Sequence, residues 1–205
     1  EDDRSTAVFA FGRFNPPTIG HQKLIQKVQS MARQVNGKGF IFLTHTQNNK
    51  KDPLSFQEKQ AYITSQINDP NLQIGSTDVK TIIQALQKIQ AQGRTRVIMI
   101  AGDDRVMEFQ KFLNQYNGNP DQQGNIPYKF DDVQVVSAGQ RDPDADDIAG
   151  VSASKARDWA LKGQEHEFSK IVMGGDAGKV LYDKIQDALG VQVAENNKKL
   201  YNEAM

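Results

Sequence analysis

Short apolar runs at Ala7 to Phe11, Phe40 to Leu43 and Val97 to Ala101 are unbroken, as expected of parallel strands buried on both faces, and Val133 to Val136 is similar apart from Gln134; a strand with one wet face would alternate. Between the first two runs, Leu24, Ile25, Val28, Met31, Ala32 and Val35 recur at the spacing of one helical face, and Gly37 supplies a stop. Val79, Ile82, Ile83, Leu86 and Ile89 predict a helix before the third run, and Val106, Phe109, Phe112, Leu113 and Tyr116 predict one after it. This alternation predicts an α/β fold with a doubly wound parallel sheet and helices on both faces, because right-handed crossovers place the intervening helices there. A ligand then belongs at the carboxyl ends of the strands.

The polar stretches add detail. Ser55, Phe56, Gln57 and Glu58 have capping-box spacing and predict a helix starting at Ser55. Asn114 to Lys129, rich in Asn, Gln, Gly and Pro, reads as a mobile loop of the kind from which lids are built. Residues 1–190 read as one domain and 191–205 as a polar tail. A chain of 205 residues with 38% apolar content supports one core and therefore one site. Lys plus Arg equal Asp plus Glu at 25 each, so no global field draws the chain to nucleic acid or to an anionic membrane, and phosphate chemistry must use local charge. Cysteine is absent, which removes thiolate chemistry and fits a cytoplasmic location. His21, His45 and His166 are scattered, so a metal is expected to arrive with substrate. No apolar run approaches the roughly 20 residues of a membrane-spanning helix, and a soluble protein is expected.

The first strand runs into Phe11, Gly12, Arg13, Phe14, Asn15, Pro16, Pro17, Thr18, Ile19, Gly20 and His21, with a helix following at once. Gly12 and Gly20 permit close backbone approach or positive φ, and the two prolines stiffen the loop. A helix starting there points unpaired N–H groups and its positive dipole end at the loop, which favours phosphate, and His21 adds a directed donor. This G-R-F-N-P-P-T-I-G-H stretch resembles the first motif of the HxGH-type nucleotidyltransferases, which include nicotinamide-mononucleotide and phosphopantetheine adenylyltransferases and glycerol-phosphate and choline-phosphate cytidylyltransferases. Thr18 stands where histidine is commonest, and the phosphopantetheine enzymes also carry threonine there. The resemblance implies a Rossmann-like sheet. The same opening is similar to that of proteins encoded by some tailed bacteriophages, which would imply the host cytoplasm or a virion as location.

Val151, Ser152, Ala153, Ser154, Lys155, Ala156 and Arg157 resemble the family's late I-S-S-T-x-x-R motif. Hydroxyls, a cation and a helix start suit a triphosphate; read without the family they are a serine-rich helix cap. Asp52 to Lys59 is similar to an acceptor-side stretch of nicotinamide-mononucleotide adenylyltransferases, beside which Lys50 and Lys51 are candidate phosphate contacts. Gly102, Asp103, Asp104 and Arg105 follow the third strand run and resemble a G-[SA]-D stretch; Asp103 is a candidate for acceptor recognition or for helix capping, and Arg105 for gripping an acceptor phosphate. Asp142, Asp144, Asp146 and Asp147 imitate a calcium loop but lack its closing glutamate, since Ala153 stands there. His45 reads as structural, Trp159 as core, and Gly174 to Lys179 as a flexible helix entry, because Val180 replaces a phosphate loop's hydroxyl residue.

The resemblance implies transfer of a nucleoside monophosphate from ATP or CTP to a small phosphate-bearing acceptor, with release of pyrophosphate and with Mg²⁺ bound through the triphosphate. The expected catalytic residues are His21, Thr18 and Arg157. Nucleotide contacts are expected from Gly12, Arg13, Phe14, Asn15, Gly20, Ser152, Ser154 and Lys155, and acceptor contacts from Lys51, Asp103 and Arg105. The alternative is a non-catalytic descendant that keeps the fold and a bound nucleotide inside a homo-oligomer or larger assembly. A class I aminoacyl-tRNA synthetase fragment has a similar turn, but the neutral charge balance and short chain argue against it.

Overall fold

The structure, a computed structural model, describes residues 5–139 and 153–190. Five strands, β1 Thr6–Gly12, β2 Lys38–Leu43, β3 Leu72–Ile74, β4 Arg96–Ala101 and β5 Asp132–Ser137, form one sheet in the order β3-β2-β1-β4-β5. All neighbours are parallel, and Phe9 of β1 lies opposite Phe40 of β2 and Met99 of β4. The strand order reverses at β1, as the doubly wound α/β, Rossmann-like architecture requires. The helices are α1 Ile19–Gln34, α2 Phe56–Gln66, α3 Ile82–Ala91, α4 Val106–Tyr116, α5 Ala153–Leu161, α6 Glu165–Ile171 and a last one over residues 179–190, here α7. No helix of the described residues is long and apolar enough to cross a membrane. The described residues form two compact units, each assembled from three segments: 5–12, 22–44 and 67–139 in the sheet unit, and 13–21, 45–66 and 153–190 in the second.

In the sheet unit, both faces of β1, β2 and β4 are dry, and Ala7, Val8, Phe9 and Ala10 are each 0% exposed, whereas the edge strand β5 is partly exposed. Phe9, Phe40, Phe42, Val97 and Met99 turn to one face, where they cluster with Leu86 and Ile89 of α3 and Leu113 of α4. Residues of opposite parity turn to the other face, where Val28 of α1 approaches Gly39. The stop after α1 differs from the expectation. Asn36, at φ 50°, takes the left-handed position, while Asn36 N–H donates to the Arg33 carbonyl and Gly37 N–H to that of Ala32, which is a Schellman arrangement. Gly37 is needed for space, since a Cβ there would lie 2.5 Å from the Thr6 carbonyl oxygen. Val79 is buried but precedes α3, whose N-cap is Thr81. Asn114 to Lys129, expected as a mobile loop, begins inside α4 and is tied at both ends. Tyr128 is buried and donates to the Leu113 carbonyl at 2.9 Å, and the Asn117 side chain brackets the Phe130 backbone. Strand β3, only Leu72 to Ile74, is too short to show a period.

In the second unit, α2 turns Phe56, Lys59, Tyr62 and Ile63 inward, and Phe168 of α6 meets Tyr182 of α7 edge to face at 5.4 Å. Ser55 and Glu58 make the expected capping box: Ser55 N–H donates to the Glu58 carboxylate at 2.9 Å and Glu58 N–H to the Ser55 hydroxyl at 3.2 Å. Trp159, expected in the core, is half-buried under the Lys155 ammonium, 4.9 Å from its ring centre, because Ala156 and Ala160 take the inward positions of α5. The glycine run leads into α7 through a turn at Gly175–Gly178, but Gly174, φ 84°, is tightly placed: a Cβ there would lie 2.7 Å from the Tyr62 hydroxyl.

Candidate active site

Gly12 ends β1, and its carbonyl accepts the Thr44 N–H at 3.0 Å. Residues 13–18 then form a loop that runs directly into α1. Apolar packing of Phe14, Pro16 and Pro17 is only part of what holds this loop. Its carbonyls are taken up at alternate residues: Arg13 accepts from the Lys59 ammonium at 2.7 Å, Asn15 from the Arg157 guanidinium at 2.7 Å, and Pro17 from the Met173 N–H at 3.0 Å. Asn15, 1% exposed, pairs its amide reciprocally with the Leu54 backbone, both bonds 2.9 Å. The Asn15–Pro16 peptide is cis. Phe14 adopts φ 49°, which a non-glycine residue holds only when its surroundings over-determine it. Its ring is fully enclosed and lies 4.5 Å from that of His21.

Thr18 and His21 form the catalytic candidate. Thr18 is buried and stands just before α1. The Thr18 N–H donates to His21 Nδ1 at 3.0 Å, and the Thr18 hydroxyl lies at the same distance. An N–H can only donate, so Nδ1 accepts and the neutral ring carries its proton on Nε2. His21 therefore occupies the place of the glutamate in a capping box, and the contact that caps the helix also sets the tautomer.

Arg13 forks onto Asp52, with Nε and Nη2 each 2.9 Å from a carboxylate oxygen, and also reaches the Lys51 carbonyl at 3.2 Å. Asn48 organises this turn, its side-chain oxygen accepting the N–H groups of Lys50, Lys51 and Asp52. Burial lowers the Arg157 pKa, and the neighbouring Arg13 charge adds to the effect while Asp52 opposes it. Burial likewise lowers Lys59, to about 8, with Asp52 opposing and Arg13 adding. Lys59 was not among the expected site residues, although its sequence position carries a signal: it falls on the stripe of Phe56, Tyr62 and Ile63.

The second unit thus brings Arg13, Phe14, Asn15, Thr18, Gly20, His21, Lys51 and Arg157 into one assembly. Ser154 and Lys155 open α5 and are exposed, Lys155 over Trp159. Ser152 lies outside the described residues, as do Asp142 to Asp147 and the tail from 191. Asp103 and Arg105 belong to the sheet unit, in the turn after β4. Asp103 is not a helix cap, since Gly102 holds that position without a side-chain bond. Arg105 pairs with Glu108 at 2.7 Å and lies over the Phe109 ring. His45 stacks on Phe56 at 4.0 Å. Among the described residues no three or more His, Cys, Asp or Glu side chains are grouped to hold a metal. Around the loop the donor set is cationic, and its one buried carboxylate is engaged by Arg13. These groups suit an anion, and a metal carried on that anion, better than a bare cation.

The sequence pattern of the cytidylyltransferase-like family matches residues 9–158 and so takes in the first loop, Asp52, Lys59 and Arg157. The chain belongs to the cytidylyltransferase-like family. With it, the chain joins the nucleotidyltransferases. No curated protein matches it in sequence. Among solved structures, it is similar to Plasmodium falciparum nicotinic acid mononucleotide adenylyltransferase complexed with NaAD, at 16% identity and a TM-score of 0.58 over 87% of this chain and 98% of that one. The same enzyme complexed with APC gives a TM-score of 0.56 at 16% identity, with the same coverage. At that identity the likeness speaks for the fold, and this cytidylyltransferase-like chain has the five-stranded parallel sheet in common with those enzymes.

Proposed function

We propose that the chain transfers a nucleoside monophosphate from ATP or CTP to a small phosphate-bearing acceptor and releases pyrophosphate. The observation that carries this reading is the Thr18 N–H contact to His21 Nδ1, which leaves the Nε2 proton as the ring's donor, on a loop that also draws in Arg157. An acceptor phosphate oxygen attacks the α-phosphorus, the bond from that phosphorus to the oxygen bridging to the β-phosphate breaks, and pyrophosphate leaves with the electron pair. Such in-line transfer needs alignment and charge neutralisation rather than a protein nucleophile. The Nε2–H of His21 donates to α-phosphate oxygens as negative charge grows there. Arg157 gives one N–H to Asn15 and has others for β- and γ-phosphate oxygens, alongside Ser154 and Ser152. Gly20 and the α1 N-terminus favour the same charge. Mg²⁺ arriving on the triphosphate supplies further neutralisation.

Asn15, its amide bonded to the Leu54 backbone, and Arg13, forked onto Asp52, contribute to the nucleotide site by holding the loop. Lys51, Asp103 and Arg105 remain the candidates for the acceptor. The names of the structural neighbours favour ATP as donor and a pyridine mononucleotide as the first acceptor to try. The test is pyrophosphate release with MgATP or MgCTP across nicotinic acid mononucleotide, nicotinamide mononucleotide, phosphopantetheine and glycerol phosphate. Turnover with one donor and one acceptor is expected. Triphosphate binding without turnover on any of them would favour a nucleotide-binding assembly protein, and no binding would overturn the reading.

A further inference from the structure

Lys59 breaks the pattern of α2. Phe56, Tyr62 and Ile63 share its inward face, and Lys59, three residues after Phe56, is completely enclosed with them. Withdrawing an ammonium from water costs several kcal/mol unless it is paired, so a residue that served only to fill this space would be leucine or methionine. Its Nζ instead holds the Arg13 carbonyl at 2.7 Å. The charges that act on it include Asp52, from the turn before α2, and Arg13, from the loop after β1. Asp52 is already forked by Arg13. Arg157 of α5 feels the same two charges and holds the Asn15 carbonyl, two residues along the loop from that of Arg13. Glu58, next to Lys59, is turned instead to Ser55 and to Lys184 of α7. Two cations, Lys59 and Arg157, thus hold carbonyls of this loop while the Asp52 carboxylate is engaged by a third, Arg13, a concentration of positive groups suited to receive a polyanion.

We propose that Lys59 is a positioning residue of the triphosphate site, its enclosed ammonium fixing the loop of residues 13–18 through the Arg13 carbonyl and giving it the positive charge that a polyphosphate neutralises. This rests on the nucleotidyltransferase reading above. With its pKa lowered to about 8, Lys59 loses its proton in the free protein as pH rises through that value, and a bound polyanion favours the protonated form. Binding therefore takes up a proton at mildly alkaline pH and weakens as pH rises further.

The test is calorimetric titration of the full chain with MgATP, and in parallel with inorganic tripolyphosphate, from pH 7.5 to 9.5 in two buffers of different ionisation enthalpy. Wild type, Lys59→Arg and Lys59→Met are compared, with thermal melts to establish folding. Wild-type affinity is expected to fall about tenfold across the range with proton uptake. Lys59→Arg, charged throughout, should bind at pH 7.5 within about threefold of wild type and lose the slope, whereas Lys59→Met should bind about tenfold more weakly at that pH, also without slope. Tight wild-type binding with a flat profile and no proton uptake would overturn the role of Lys59 while leaving the nucleotide reading intact. A wild-type chain that binds neither probe would overturn that reading and this one with it. Should Lys59→Met not fold, the arginine variant decides: a slope as steep as wild type overturns the proposal, and a flat one upholds it.

Discussion

The sheet unit and the second unit bury different things. In β1, β2 and β4 the interior is a continuous apolar layer, and among the described residues the enclosed polar groups of that unit include little beyond the Thr6 side chain and the Tyr128 hydroxyl. The second unit encloses Asn15, Thr18, Asp52 and Lys59. Apolar burial is non-directional, so the strands define a fold without specifying any chemistry. Buried polar groups cost free energy unless each is hydrogen-bonded, and here they are: Asn15 to Leu54, Thr18 to His21, Asp52 to Arg13 and Lys59 to Arg13. One unit is built for stability, and the other holds a particular loop in a particular shape.

If that contrast holds, substitutions in the two units should separate stability from activity. Phe9→Ala in the fully enclosed β1 should cost about 4 kcal/mol. Denaturant titration would show it, while the folded fraction keeps wild-type turnover; a loss of turnover beyond the unfolded fraction would blur the distinction. Asn15→Ala leaves the Leu54 N–H and carbonyl without their partner and should cost about 2 kcal/mol. Unlike Phe9→Ala, it should also lower the turnover of folded protein, because the loop carrying His21 loses its tie. A separate effect is the pH dependence contributed by Lys59. Its folded-state pKa of about 8 lies below its ordinary value of 10.5, so between those values the unfolded chain binds more protons and this contribution to stability rises with pH. Denaturant midpoints at pH 8 and pH 10, wild type against Lys59→Met, should show the rise in wild type alone. A fall in that window would mean that the buried ammonium is stabilised rather than strained, and would remove the basis for the polyanion receptor.

The contrast also explains what could be read from the chain. The four strong strand runs and the faces of α1, α3 and α4 were legible because burial on a regular element leaves a period. Leu72 to Ile74 left none, and Val79 imitated a helical position from the loop before Thr81. In the second unit the capping box and the first loop were legible as local motifs. The partners of that loop were not, because the Asn15–Leu54, Arg13–Asp52 and Arg157–Asn15 bonds join residues 39 and 142 positions apart. Lys59 was the missed signal, a lysine on an apolar stripe. Trp159 was misplaced although it shares helical spacing with Ala156, which suggested the core: the inward positions of α5 go to Ala156 and Ala160, and the ring is left to support Lys155.

The central claim is that His21, held by Thr18 through Nδ1, is the group that meets growing charge on phosphate. The most direct measurement is the pyrophosphate-release rate of His21→Ala beside wild type, at matched folded fraction and on the acceptor that supports turnover. A fall of about 100- to 1,000-fold is predicted, with no more than about 1 kcal/mol lost in stability from the missing cap. A folded His21→Ala protein that turns over at the wild-type rate would contradict the account.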